Sequence, residues 1–203
     1  ALSRVWLNLR GVNYRATIFI NGRQCTDVIT GDRVITGMFK RSKFSLPTGE
    51  LAVIAILVEP PDFPGKAGGQ GGDHEIAKQT TMQFSAGWDW IQATPDRNTG
   101  LWDKVSLSNS GEVELADPWV RTETLAVNGR AAAIVVSFGA RNWGGVRENI
   151  TAHVSIWYGG ERATEDVTQD LVVDSGGAHG VEIALKIEDA HLWWPHTMGS
   201  PSM

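Results

Sequence analysis

Apolar residues recur at every second position over several segments of this 203-residue chain. From 181 to 187 and from 150 to 158, apolar side chains alternate with residues that are mostly polar or small. A period of two puts successive side chains on opposite faces of an extended strand, whereas a helix repeats every 3.6 residues. Such segments are typical of half-buried strands in an antiparallel sandwich. The pattern therefore predicts an all-β fold.

Other segments extend this prediction. Residues 51–58 are apolar almost throughout, which favours a strand buried on both faces. Asn21 and Gly22 follow the apolar segment 16–20 and predict a hairpin, because both residues tolerate the positive φ that a tight turn needs. Residues 73–84 are the one candidate helix. Further strands are predicted over 5–9, 105–107, 120–125 and 132–138.

Composition limits the function. The net charge of -5 gives no basic surface for a phosphate backbone, so nucleic acid is not expected as a partner. No apolar run reaches the roughly 18 residues of a membrane-spanning helix, so we expect no membrane partner. Cys25 is the only cysteine, which excludes an intrachain disulfide and fits either a bacterial periplasm or a cytoplasm, so the compartment stays open. Of the possible locations, a periplasmic or secreted one is favoured. The length suits two domains, with a predicted break at Asp117 and Pro118.

One segment has the composition of a carbohydrate site. Trp88, Asp89 and Trp90 are followed by Asp96 and Arg97. Aromatic rings suit the apolar face of a sugar, and charged groups make the stronger hydrogen bonds to its hydroxyls. On a regular strand, however, Trp88 and Trp90 would share one face and Asp89 the other, so burial of both rings in a sandwich core stays open. The turn at 96–100 could likewise be structural.

Neither a catalytic group nor a metal site is predicted within the chain. Asp89, Asp96 and Asp103 could supply a glycosidase pair, but sequence spacing does not establish the separation of about 5 Å that such a pair needs, and acids beside turns usually serve as caps. His74, His191 and His196 have no recognised ligand spacing. No nucleotide or phosphate motif is present, so we expect no cofactor.

Residues 87–105 resemble, nearly residue for residue, a stretch of glycoside hydrolases of family 2, of the β-mannosidase and endo-β-mannosidase type. The resemblance implies a jelly-roll (galactose-binding-like) β-sandwich over 1–117 that lacks its first strands. An immunoglobulin-like β-sandwich over 118–203 that lacks its last strands would follow. The catalytic (β/α)8 barrel, with its two glutamates, would lie outside this chain. Matching motifs occur in the same order at 6–16, 21–22, 37–39, 58–62, 68–75 and 192–196.

The resemblance also implies roles for the candidate residues. Asp89 would accept hydrogen bonds from sugar hydroxyls, Trp88 or Trp90 would wall the pocket, and Asp96 and Arg97 would be weaker candidates that lock the loop. The chain would be the N-terminal accessory part of a retaining enzyme that hydrolyses β-mannosidic bonds in glycans, inactive without its barrel. Its partners would be a β-linked oligosaccharide or glycan and the catalytic barrel of the same full-length chain. The alternatives are an exo-β-D-glucosaminidase of the same family and a free-standing carbohydrate-binding module.

Overall fold

The structure is a computed structural model that describes residues 4–60, 98–126, 130–195 and 197–199. It divides into two compact units, Leu2–Ser110 and Gly111–Met203, which are called here the N-terminal and the C-terminal unit. All regular elements in the described ranges are β-strands, and these ranges contain no helix. The predicted all-β fold is therefore confirmed. The candidate helix at 73–84 lies outside the described residues.

The N-terminal unit is built from antiparallel strands. Strand β1 lies between β6 and β9, and strand β3 pairs with β4, β5 and β7, while β2 pairs with β8. The strands are β1 (Arg4–Leu9), β2 (Val12–Asn13), β3 (Arg15–Ile20), β4 (Arg23–Gln24), β5 (Ile35–Thr36), β6 (Ser42–Leu46), β7 (Ile54–Glu59), β8 (Gly100–Leu101) and β9 (Val105–Ser110). Alternate side chains from these strands form one buried apolar cluster of Leu7, Leu9, Val12, Ala16, Ile18, Ile20, Ile35, Phe44 and Leu46.

The predicted hairpin after residue 20 is present. Strands β3 and β4 pair through Ile20 and Arg23. Asn21 and Gly22 join them with φ values of 49° and 76°. Two positive φ values in a two-residue loop match the right-handed twist of the flanking strands. This local signal therefore fixed the turn correctly.

The prediction of a strand buried on both faces over 51–58 is wrong. Strand β7 begins only at Ile54, and Leu51 is 84% exposed. Ile56 and Val58 pack against the core, but Leu57, on the other face, is 55% exposed. The reason is that β7 pairs along one side with β3 and has a single covered face among the described residues. A continuous apolar run cannot distinguish this arrangement from double burial.

The C-terminal unit contains two larger pairing groups. Strands β10, β11 and β16 form a three-stranded sheet in that order, and β12 pairs with β15. The strands are β10 (Val113–Leu125), β11 (Ala132–Asn142), β12 (Glu148–Val154), β13 (Trp157–Tyr158), β14 (Glu161–Arg162), β15 (Val167–Val173) and β16 (Ala178–Ile187). Their inward side chains form a second cluster of Ala132, Ile134, Val136, Phe138, Ala152, Leu171, Val181, Ile183 and Leu185.

The period-two prediction holds well for this unit. Val181, Ile183 and Leu185 are buried, as the alternation predicts. The segment 150–158 keeps its alternation, but it is divided into β12 and β13 by an interruption at 155–156. The main-chain carbonyl of Ile156 accepts a hydrogen bond from the Ala163 N–H at 2.9 Å. This bond closes the short β13–β14 hairpin instead of continuing the β12 ladder.

The predicted domain break at Asp117 and Pro118 falls inside strand β10. The pairing register with β11 shifts between Ala116 and Trp119, and Asp117 has a φ of 50°. Proline has no N–H to donate, so within sheets it is confined to edges and bulges such as this one. The two units instead divide between Ser110 and Gly111. Asp117 and Pro118 therefore form a bulge within one long strand.

Candidate functional site

The five residues predicted to contact substrate, Trp88, Asp89, Trp90, Asp96 and Arg97, lie outside the described residues. The described strands on either side of residues 61–97 are β7, which ends at Glu59, and β8, which begins at Gly100. Arg15 is opposite Glu59 in the β3–β7 ladder. Asn13 is opposite Gly100 in the β2–β8 ladder. Both flanking strands are therefore paired to the single short segment 13–15, which defines the candidate region.

Tyr14 connects this segment to its neighbours through its main chain. Its N–H donates to the carbonyl of Glu59 at 3.1 Å, and its carbonyl accepts from the Gly37 N–H at 3.0 Å. The end of β7 and the motif at 37–39 thus meet on one residue. Gly37 has a φ of 118°, a conformation that residues with a side chain rarely adopt. A glycine is therefore required where the chain turns into Met38 and Phe39.

Asn13 holds the described start of the segment that leads into β8. Its side chain is fully buried, and its Nδ2 donates to the main-chain carbonyl of Asn98 at 3.0 Å. Asn98 has a φ of 52°, which asparagine tolerates better than most residues. The predicted turn at 96–100 is described only from Asn98 onward. A buried side chain therefore anchors the described part of this turn.

Two aromatic rings lie at the same end of the unit. Phe39 is 63% exposed and Trp102 is 43% exposed. Their rings meet edge to face, with centroids 5.3 Å apart and planes at 83°. The Trp102 Nε1 donates to the carbonyl of Met38 at 2.8 Å. This geometry satisfies the polar edge of the indole and leaves apolar ring surface accessible, as in a site that receives an apolar ligand face.

The charged residue that follows Trp102, Asp103, takes part in an exposed ion pair. Arg10 and Asp103 form an ion pair at 3.5 Å, with the arginine about half exposed. Such exposed pairs contribute little to stability. In the described ranges, no group of three His, Cys, Asp or Glu side chains is arranged to hold a metal ion. The arrangement suits binding through rings and hydrogen bonds.

Sequence reasoning did not single out Asn13, Phe39 or Trp102 as functional. They come from three separate stretches of the chain, and the fold brings all three to the segment 13–15 and its neighbours. Each of them does lie inside one of the motifs that carry the resemblance, at 6–16, 37–39 and 87–105. That shared membership is the signal that could have identified them.

The C-terminal unit has a separate, mainly apolar cavity of about 330 Å³. Its wall includes Trp157, Tyr158 and Leu192, and the Tyr158 ring stacks on the His191 ring with centroids 3.9 Å apart. In the motif at 192–196, the described Trp193 is 66% exposed. His196 lies outside the described residues.

No protein-family model matches the chain. The chain is 44% identical over 121 residues to a mannosylglycoprotein endo-β-mannosidase of Lilium longiflorum, a match that covers 56% of the chain and 12% of the relative. It is 27% identical over 207 residues to an exo-β-D-glucosaminidase of Streptomyces avermitilis, covering 97% of the chain and 20% of the relative. The chain therefore spans only about an eighth to a fifth of the length of these relatives.

Solved structures share the fold. The exo-chitosanase of Amycolatopsis orientalis, in a complex with p-nitrophenyl β-D-glucosamine, superposes with a TM-score of 0.74 at 24% identity over 97% of the chain and 20% of the enzyme. A β-glucuronidase from glycoside hydrolase family 2 superposes with a TM-score of 0.68 at 20% identity over 95% of the chain and 19% of the enzyme. No helix long and apolar enough to cross a membrane occurs in the part of the chain that the structure describes. Relatives and fold together confirm the resemblance predicted from the sequence: the chain is similar to the N-terminal part of glycoside hydrolases of family 2.

Proposed function

We propose that this chain is the N-terminal accessory part of a retaining glycoside hydrolase that hydrolyses β-mannosidic bonds in glycans. Its N-terminal unit would be the sugar-binding jelly-roll domain and its C-terminal unit the immunoglobulin-like domain. The observation that supports the substrate is the 44% identity to a plant enzyme named as a mannosylglycoprotein endo-β-mannosidase. Within this proposal the two catalytic glutamates belong to a barrel elsewhere in the full-length protein. One would protonate the leaving oxygen and the other would attack the anomeric carbon.

The substrate contacts of this chain would come from the segment 88–97. Asp89 would accept hydrogen bonds from sugar hydroxyls, because carboxylates make the stronger, charge-assisted bonds. Trp88 or Trp90 would cover the apolar ring face. Asp96 and Arg97 would hold the loop in place. The pairing of both flanking strands with 13–15 supports this role, since it brings Glu59 and Gly100, which lie on either side of residues 61–97, to one short segment of the chain.

A second candidate is an exo-β-D-glucosaminidase. Its support is the length of the match to the Streptomyces avermitilis enzyme, which covers 97% of the chain, against 56% for the endo-β-mannosidase. The identity of that longer match is lower, at 27%. We rank the mannosidase first because identity over the shared stretch is the closer guide to a shared site.

The test uses the full-length protein that carries this chain and two chromogenic substrates, p-nitrophenyl β-D-mannoside and p-nitrophenyl β-D-glucosaminide. A higher kcat/KM for the mannoside is the expected result. A higher value for the glucosaminide would establish the second candidate. A third substrate, a mannose-containing N-glycan core, detects an endo-acting enzyme that does not cleave aryl mannosides. Release from none of the three substrates, with retained binding to mannan or chitosan oligosaccharides, would overturn both candidates and favour a carbohydrate-binding module.

A further inference from the structure

Gly11 and Trp102 share one space at the end of the β2–β8 ladder. Val12 is opposite Leu101 and Asn13 opposite Gly100, so the antiparallel register places Gly11 opposite Trp102. A Cβ added to Gly11 would lie 2.6 Å from both Cε2 and Nε1 of the indole. Side-chain carbons do not approach other heavy atoms that closely in folded proteins. The indole therefore occupies the volume that any side chain at position 11 would need.

The indole has two further contacts. Its Nε1 donates to the carbonyl of Met38 at 2.8 Å, and Phe39 meets its ring edge to face. Trp102 thus touches the residue before β2, the motif at 37–39 and, through the main chain, the end of β8. A displaced indole would lose the hydrogen bond to Met38. It would also shift β8, because Trp102 directly follows that strand.

One side of the chain has an extra residue between the β2–β8 ladder and the neighbouring β1–β9 ladder. Leu9 and Val12 are three positions apart, whereas their partners Val105 and Leu101 are four positions apart. Such an insertion bends the strand and redirects side chains, and it is frequent next to active sites. The contact of the indole with Gly11 fixes the pairing on one side of this irregularity.

We propose that Gly11 and Trp102 are positioning residues for glycan binding at this end of the N-terminal unit. The inference rests on the proposed function. Neither residue is placed on the reacting atoms. Their contact sets how β8 is seated against β2, and therefore the orientation of the exposed Trp102 ring and of the Phe39 ring that meets it.

The first test is Gly11→Ala in the full-length protein, with KM measured on the aryl glycoside that the wild-type enzyme cleaves. We expect KM to rise about tenfold, because a misplacement of about 1 Å can cost ~100-fold in catalytic efficiency. KM does not depend on the fraction of enzyme that is folded, so a loss of folded protein alone would leave it unchanged. Gly145→Ala is the matched control, since a Cβ there would meet no atom within 4 Å. An unchanged KM for Gly11→Ala would overturn the proposal.

A double substitution tests whether the effect runs through the indole. Trp102→Leu should raise KM by itself, and adding Gly11→Ala in that background should cause no further rise, because the atoms with which the methyl group collides are gone. Independent, multiplying effects of the two substitutions would contradict the proposed coupling. If Gly11→Ala does not fold, Trp102→Phe replaces it, since it retains an aromatic ring but cannot donate to Met38. An unchanged KM for that variant would also overturn the proposal.

Failure of this inference is distinguishable from failure of the proposed function. A wild-type protein that cleaves neither of the two aryl glycosides nor the N-glycan core substrate refutes the function on which the inference rests. An active wild-type enzyme with a wild-type KM in the Gly11→Ala variant refutes the positioning role alone.

Discussion

The side-chain amide of Asn13 donates a hydrogen bond to the main-chain carbonyl of Asn98, 3.0 Å away. Asn13 is fully buried, and its main chain pairs with Gly100 in the β2–β8 ladder. Asn13 therefore contacts both strand β8 and Asn98, which lies just before that strand. Because Asn98 has a positive φ, this hydrogen bond stabilises a backbone conformation that is costly for most residues.

Asn13→Ala should lower the free energy of unfolding by about 1–3 kcal/mol, because a buried polar group loses its partner. Denaturant unfolding of the protein, followed by tryptophan fluorescence, measures this change. Asn109→Ala is the control, since Asn109 is an exposed residue of β9. Equal stabilities for the two variants would show that the bond to Asn98 contributes nothing.

Asn142 has an equivalent role in the C-terminal unit. Its side-chain amide donates to the carbonyls of Val146 and Val173 at 2.7 and 3.0 Å, and its side-chain oxygen accepts from the Gly144 N–H at 2.8 Å. Asn142→Asp should destabilise this unit by at least about 2 kcal/mol, because the carboxylate would face two carbonyl oxygens without a proton to donate. Equilibrium urea unfolding checks this. Asn149→Ala, at an exposed position of β12, should unfold like the wild type.

Asp27 is a fully buried carboxylate in the loop between β4 and β5. Its Oδ1 accepts hydrogen bonds from the main-chain N–H groups of Ile29 and Lys43 at 2.9 and 3.3 Å. Asp27→Ala should cost about 2 kcal/mol or more, because both donors would lose their acceptor. Asp27→Asn retains one oxygen and should cost less. Thermal unfolding that ranks the asparagine variant below the alanine variant would refute this account.

The ion pair of Asp32 with Lys40 should make the stability of the protein depend on pH. A hydrogen bond from the Lys40 ammonium, a second from the Thr30 hydroxyl and the charge of Lys40 together hold the pKa of the Asp32 carboxyl below its ordinary value. A carboxyl with a lowered pKa in the folded state stabilises the protein above the unfolded-state pKa of about 3.9, and this contribution disappears as the pH falls through the lowered value. Lys40→Gln should therefore raise the pKa of Asp32. Carboxyl NMR titration between about pH 2 and 6 measures the shift, and an unchanged titration would contradict it.

Asp89→Ala tests the proposed substrate contact in the full-length enzyme. Removal of a hydrogen bond to a charged group should cost about 1.5–3 kcal/mol in transition-state binding, which corresponds to roughly a 10- to 150-fold loss in kcat/KM. Steady-state kinetics on the cleaved aryl glycoside measure the loss. Asp189→Ala, at an exposed aspartate of the C-terminal unit, should keep wild-type kinetics. Wild-type kinetics for Asp89→Ala would assign that residue a structural role.

The sequence predicted those parts of the fold that depend on local patterns. The alternation over 181–187 and the Asn21–Gly22 turn each depend on residues that are close in the chain, and the structure contains both. The exposure of Leu57 and the bulge at Asp117 depend instead on which strand lies alongside, and no local period records that. The partner of each strand is set by the fold of the whole unit. The exposure of Leu57 and the bulge at Asp117 could therefore not be predicted from the local sequence.

The candidate region follows the same division. The composition of 88–97 indicated a carbohydrate site, but those residues lie outside the described ranges and their role stays a proposal. The contributions of Asn13 and Trp102 could not be predicted from composition, because a buried asparagine and a half-exposed tryptophan are common in any sandwich. Their importance comes from contacts with Asn98, Gly11 and Met38, which the fold brings near them.

The absence of a side chain at Gly11 limits which substitutions evolution can accept at this position. Because the indole fills the space beside that backbone, a mutation that adds even a methyl group at position 11 is tolerated only after position 102 has lost its large ring. Homologous sequences should accordingly change at the two positions together, with glycine retained wherever tryptophan is present and released in lineages that carry a smaller residue.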